Sequence, residues 1–131
     1  VVPGARVPGA QAAETRFVVV RRSGRYLLLA LAPSTGRTHQ IRVHASRAGA
    51  PLLGDPVYAK PEGRRLVTPQ GAVKGIGRIA LHCAAVSLEI PGRDGCNISL
   101  RSPVPWELRD MVDTTSLGGW EAIEEALRCE F

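Results

Sequence analysis

The sequence predicts an α+β fold, with an antiparallel or mixed sheet and packed helices. Three observations carry this. Residues 15–20 and 26–32 have strand character and are separated by a short polar turn. A capped segment with helical spacing follows at 39–48, and residues 78–129 hold a second strand–turn–strand pattern and two helical segments. Hairpin, helix, hairpin, helices is the order of an antiparallel sheet with helices set against it, not of repeated βαβ units. No internal repeat is visible.

The elements follow in chain order. Residues 1–13 are rich in Pro, Gly and Ala without periodicity, and 1–14 read as a flexible lead or linker. The run Thr-Arg-Phe-Val-Val-Val at 15–20 favours a strand. Residues 21–25, Arg-Arg-Ser-Gly-Arg, form a polar turn in which Gly24 can take positive φ. The return strand, 26–32, is so continuously apolar that burial on both faces is expected. Thr38 is expected to N-cap the helix 39–48, with Gly49 at its C-terminal stop and Ile41, Ala45 and Ala48 as its apolar stripe. Residues 50–58 form an ordered loop with two prolines, and 59–77 a long surface loop. Residues 78–90 are expected as a strand, 91–95 as a turn, and 96–101 as the paired strand. Residues 105–112 and 117–129 are terminal helices. In the last, Trp120, Ile123 and Leu127 supply a core stripe beside acidic Glu124.

At 131 residues the chain fits one domain and can bury a real core. Hydrophobic content of 44% and charged content of 22% argue against wholesale disorder. The net charge is +5, from 17 basic and 12 acidic residues. All of the basic residues but Lys60 and Lys74 are arginine, the fork-shaped donor suited to phosphate. Charge alone leaves open a basic surface with no polyanion partner. The three cysteines, Cys83, Cys96 and Cys129, are odd in number and lack C-x-x-C spacing. That argues against a disulfide framework or zinc finger and for a reducing compartment inside the cell. The longest apolar run, 26–33, is far short of a membrane span, and the N-terminus lacks the order of a signal peptide. Val1 is not a start methionine, so a processed product or a fragment is expected.

Residues 35–44 read Thr-Gly-Arg-Thr-His-Gln-Ile-Arg-Val-His, and 52–58 read Leu-Leu-Gly-Asp-Pro-Val-Tyr. This pair resembles the third conserved motif, with its trailing loop, of the RluA-type (large-subunit-rRNA) family of pseudouridine synthases. The resemblance extends over about residues 15–112: the hairpin 17–32, the two strings, a variable loop at 64–77, Ala-Leu-His-Cys-Ala at 80–84, and a closing helix start at 102–108. It implies that residues 15–131 are the C-terminal portion, the second half, of a pseudouridine synthase catalytic domain. In most members the nucleophilic aspartate stands in a His-Arg-Leu-Asp segment well upstream of this motif. The chain is expected to begin after it, because none of Asp55, Asp94, Asp110 and Asp113 lies in an Arg-Leu-Asp context. After His44 the chain reads Ala-Ser-Arg-Ala-Gly-Ala-Pro, where many members carry a leucine and a second histidine or glycine.

The activity so implied is isomerisation of uridine in RNA: the base is detached at C1′, turned and rejoined through C5. Flipping the base costs a few kcal/mol and needs groups that hold the deformed backbone. A carboxylate stays ionised in a closed pocket only if a cation pairs with it. In related synthases that cation is the arginine of the Gln-Ile-Arg triplet, so the resemblance assigns Arg42 as catalytic partner of an aspartate outside this chain. It makes Arg37, Thr38, His39 and Gln40 contacts to RNA near the helix start, where a helix N-terminus favours an anion. For Gln40 the alternative is that it holds the motif.

Read without the resemblance, Arg42 is a surface arginine of an amphipathic helix and Arg37 bonds turn carbonyls. His39 and His44 are structural hydrogen-bonders, and His82 is a core histidine. Asp55, before a proline, forms a turn. Tyr58 packs at the site's rim, and Trp106 and Trp120 anchor helices. His39, His44, His82 and Cys83 match no common zinc spacing, and neither metal nor cofactor is implied. The expected partner is RNA, rRNA or tRNA, with no membrane. Loss of the first half would leave an exposed sheet edge through which the chain pairs with itself or a partner, and would leave this chain alone inactive. The alternative is a non-catalytic RNA-binding module of ribosome assembly or structure, and an upstream Arg-Leu-Asp in the same gene product separates the two. The location is intracellular, with cytoplasm and organelle (mitochondrion) both open.

Overall fold

A computed structural model describes residues 9–130. Residues 1–8 of the expected lead lie outside the described residues, as does the side chain of Cys129. The elements are β1 (Thr15–Ser23), β2 (Tyr26–Pro33), α1 (Gln40–Arg47), a 3₁₀ turn (Pro61–Arg64), β3 (Arg65–Val67), β4 (Val73–Gly75), β5 (Ala85–Glu89), β6 (Asn97–Arg101), α2 (Trp106–Thr114) and α3 (Trp120–Glu130). The α+β arrangement is as expected, but the sheet is not mixed. The strands form three separate antiparallel pairs, β1–β2, β3–β4 and β5–β6. The reason is loop length: each pair is joined by a connection too short for the crossover that parallel strands need.

The first hairpin pairs Thr15 with Pro33 at its base and Ser23 with Tyr26 at its tip, where Gly24 has φ +53°. The register slips between Val19 and Arg21. The extra residue, Val20, joins Tyr26 and Leu28 against the buried cluster Val112, Leu117 and Ile123. Trp120 and Leu127 close the same cluster, so the expected stripe of α3 is the one that packs. Tyr26 also accepts the Val67 N–H at 2.8 Å, tying β2 to β3.

Four expectations change. Strand β2 is not buried on both faces: Ala30 is its buried residue, while Leu27 and, on β1, Phe17, Val18 and Val19 are exposed. A two-stranded sheet cannot cover both of its own faces, and the helices reach one. The loop 59–77 is not irregular; it holds the 3₁₀ turn and β3–β4, pinned by the fully buried Leu66. Residues 78–84 are not strand, because their polar groups turn elsewhere: Ala80 N–H donates to Leu53 O, and His82 Nε2 lies 3.2 Å from Ser102 O. His82 is therefore bonded but only half-buried, in an irregular stretch. Trp106 does not anchor α2; it is 71% exposed. Trp120 does pack, beneath the Arg109 guanidinium at 5.6 Å.

Candidate functional site

The site is built where β2 ends and α1 begins. Gln40, first residue of the helix, is buried and spends its whole side chain on this junction. Its Oε1 accepts from the Thr35 hydroxyl (2.6 Å) and the Arg37 N–H (3.1 Å). Its Nε2 donates to Glu14 O (2.8 Å) and Thr15 Oγ1 (2.9 Å). An amide has two donors and two acceptor lone pairs, and all four are used. Of the two roles set out for Gln40, the geometry is that of holding the motif. Glu14 and Thr15 are further fixed by Glu14 N–H to Thr35 Oγ1 (3.0 Å) and by His44 Nδ1 at 2.9 Å from Thr15 Oγ1.

The helix starts one residue later than expected. Thr38 does not cap it; His39 occupies the N-cap position with left-handed backbone, φ +53°, and makes no side-chain cap bond. That backbone turns the His39 ring toward Tyr58, with Nδ1 3.1 Å from the phenol oxygen and the rings edge to face. Gly49, at φ +82°, ends the helix as expected.

Arg42 lies one turn further along the same side. Its Nε and Nη2 donate to Asp55 Oδ2 and Oδ1, both at 2.8 Å, a two-pronged ion pair. Its guanidinium carbon sits 5.1 Å from the centre of the Tyr58 ring. Asp55 is wholly buried, whereas 15% of the Arg42 side chain is exposed. Asp55 Oδ1 also accepts the N–H groups of Val57 (2.9 Å) and Tyr58 (3.0 Å), which is the turn-forming role its place before proline suggests. The Arg42 hydrogen bonds hold the Asp55 carboxyl far below the usual carboxylate range against the opposing cost of burial, with the two backbone donors helping. The same pair raises Arg42 above its ordinary value, burial opposing.

Asp55 is positioned from behind by Gly54. At φ +74°, Gly54 lies so close to the backbone of Arg78 that a Cβ there would meet Arg78 O at 2.0 Å. Ser46 Oγ donates to Tyr58 O at 3.2 Å, completing the strip of α1 that faces this loop. The resemblance implied an aspartate outside the chain as the partner of Arg42; in the structure Arg42 pairs with Asp55, a partner that the reading of Asp55 as a turn residue missed. The signal available was its place in the Gly-Asp-Pro string that trails the motif.

The remaining assigned residues lie around the helix. Arg37 and Thr38, both exposed, line a groove of about 410 Å³ with His44, Arg47, Gly9, Gln11 and Ala13. Arg37 Nε donates to Ala12 O at 3.1 Å. His39 and Arg42 thus belong to the Tyr58 side of α1, and Arg37 and Thr38 to the groove.

Arg42 is thus held by a buried carboxylate beside an aromatic ring, and the groove with Arg37 and Arg47 lies on the other side of α1. Residues 4–47 match the model of the RNA pseudouridylate synthase family. The ribosomal large subunit pseudouridine synthase D of Neisseria meningitidis (strain Z2491) is 36% identical over 110 residues, 83% of this chain and 29% of that protein. The synthase C of Escherichia coli K12 is 44% identical over 79 residues, 60% of this chain and 24% of that protein. The synthase C of Salmonella typhi is 38% identical over 100 residues, 76% of this chain and 30% of that protein. Over these stretches the chain is similar to the RluA-type family of pseudouridine synthases. It spans under a third of the length of each of these relatives.

Proposed function

We propose that this chain is the C-terminal portion of an RNA pseudouridine synthase catalytic domain and that the whole protein isomerises uridine in RNA. The relatives' names favour ribosomal RNA of the large subunit over tRNA. The observation that carries the reading is the Arg42 guanidinium, oriented by Asp55 and packed on Tyr58 within the Gln-Ile-Arg triplet.

Asp55 takes the Nε–Nη2 edge of Arg42, which leaves Nη1 to face a second carboxylate. In this reading that carboxylate is the family's nucleophilic aspartate, contributed from outside these 131 residues. The arginine keeps it ionised while the site closes over the flipped base. Arg37, Thr38 and His39 contact the RNA backbone, while Gln40 holds the turn that presents them. In the full-length gene product, Arg42→Ala should lower kcat by about 10²–10³-fold, the usual cost of losing one preorganised electrostatic group, with RNA affinity largely kept. Pseudouridine formed at the wild-type rate would remove Arg42 from the mechanism.

One observation favours a second reading. Arg42 is already neutralised by Asp55, so the pair is complete as a structural element. A non-catalytic RNA-binding module would bind RNA with steep salt dependence and form no pseudouridine in the full-length product. The exposed apolar residues of β1 and β5–β6 and the unpaired strand edges support pairing of this chain with itself or with another chain.

A further inference from the structure

The charge of this chain is not spread evenly. Between Glu14 and Asp55 there are seven arginines and no acidic residue, while the sequence from Asp55 onward is net acidic. Three of the seven, Arg21, Arg22 and Arg25, crowd the tip of the first hairpin. All three are exposed. Among the described residues none of them pairs with a carboxylate; the polar contact made there is Arg21 Nη1 to the neighbouring Val20 O, at 3.0 Å. Helix α3, which packs on β1, is acidic; of its glutamates Glu124 pairs with Arg128 at 3.6 Å.

The hairpin presents these side chains outward. Arg22 lies opposite Leu27 and Arg21 opposite Leu28, so they point to the two faces of the ribbon, and Arg25 stands in the turn between them. The bulge at Val20 sends that valine into the core and frees the next residues for solvent. Around Gly24 a Cβ would meet nothing within 4 Å, so the turn itself is open, while Tyr26 beside it packs on the core of α2 and α3. The base of the hairpin is bonded to α1 through Thr15. At about 3.3 Å per strand residue the tip therefore stands roughly 26 Å from the helix that carries the motif.

We propose that Arg21, Arg22 and Arg25 form a second anion-binding arm that grips RNA phosphates outside the nucleotides held at α1. This rests on the RNA reading above and adds to it a contact remote from Arg42. Three exposed guanidiniums grouped at one turn suit a phosphate backbone followed along its length, not one buried anion. The arm recognises backbone charge and carries no sequence preference.

The test is the salt dependence of RNA binding by the full-length gene product, with an RNA stem–loop whose loop contains uridine as the probe. Each phosphate contact contributes about 0.7–0.9 to the slope of log affinity against log salt. The triple variant Arg21→Ala, Arg22→Ala, Arg25→Ala should lower that slope by about 2–3. A charge-matched control, Lys60→Ala, Arg65→Ala, Arg93→Ala, should lower it by less than about one. Equal slopes in wild type and arm variant, or equal losses in arm variant and control, would overturn the arm and leave the family reading intact. No salt-dependent binding by the wild type would instead remove the RNA reading on which the arm depends. All six positions are exposed, and circular dichroism of both variants should match the wild type.

Discussion

At the scale of the residue, the molecule turns on two buried polar groups. Asp55 is stable as a carboxylate because Arg42 and two backbone N–H groups face it. Its carboxyl in the folded protein lies below the unfolded value, so its stabilising effect is present above about pH 4 and is lost as pH falls further, through the folded value. Stability measured by urea unfolding should therefore decline on acidification below about pH 4, and Asp55→Asn should flatten that decline while lowering the midpoint at pH 7. A variant with unchanged acid sensitivity would show that other carboxyls dominate. Gln40→Ala strands several polar partners inside the junction and should cost about 1–3 kcal/mol. His39 offers a different separation. Its left-handed backbone costs a side-chain-bearing residue about 1–2 kcal/mol, which glycine escapes. His39→Gly should thus be at least as stable as His39→Ala, although both lose the Tyr58 contact, and the reverse order in thermal denaturation would refute the strain.

At the scale of the element, the parts that could be read from sequence are those whose signals are local. The first hairpin, α1 and β6 appear within a few residues of their expected limits, because β-branched runs, Gly24, Gly49 and the 91–95 turn act over short distances. The three-residue strands β3 and β4 escaped, since so short a run holds no period and its one buried anchor is Leu66. Of the strand expected over 78–90 only β5 forms; 78–84 failed because apolar content was read as pairing, whereas Gly54 and Leu53 claim that backbone. The Arg42–Asp55 pair spans 13 residues and two elements, so neither periodicity nor propensity announces it. Gly54 carries the same lesson into a test. Gly54→Ala adds a Cβ against Arg78 O in a left-handed backbone and should destabilise by more than the 1–2 kcal/mol of the backbone alone. A smaller loss would mean that the loop can retreat.

At the scale of the whole molecule, the described chain has one small core, where α2 and α3 meet the first hairpin, and two further hairpins outside that cluster. Val86, Leu88, Ile98 and Leu100 lie opposite one another on one face of β5–β6 and are all exposed, while Ser87 and Ser99 occupy the other face. That amphipathic pattern is the one a covered sheet would have. Light scattering should find concentration-dependent association of this chain, reduced by Leu88→Thr with Ile98→Thr; a monomer at all concentrations would count against it.

The division into three unconnected hydrogen-bonded pairs has a consequence for how the molecule breathes. Every residue of β5 and β6 is exposed, so few apolar contacts oppose the opening of that hairpin. Its amide protons should exchange with solvent deuterium long before those of α2 and the inner half of β1, as a unit that opens without global unfolding. A partner seated on Val86 and Leu100 would slow that exchange first, so isotope uptake in five-residue strands would register assembly before any change in the core could.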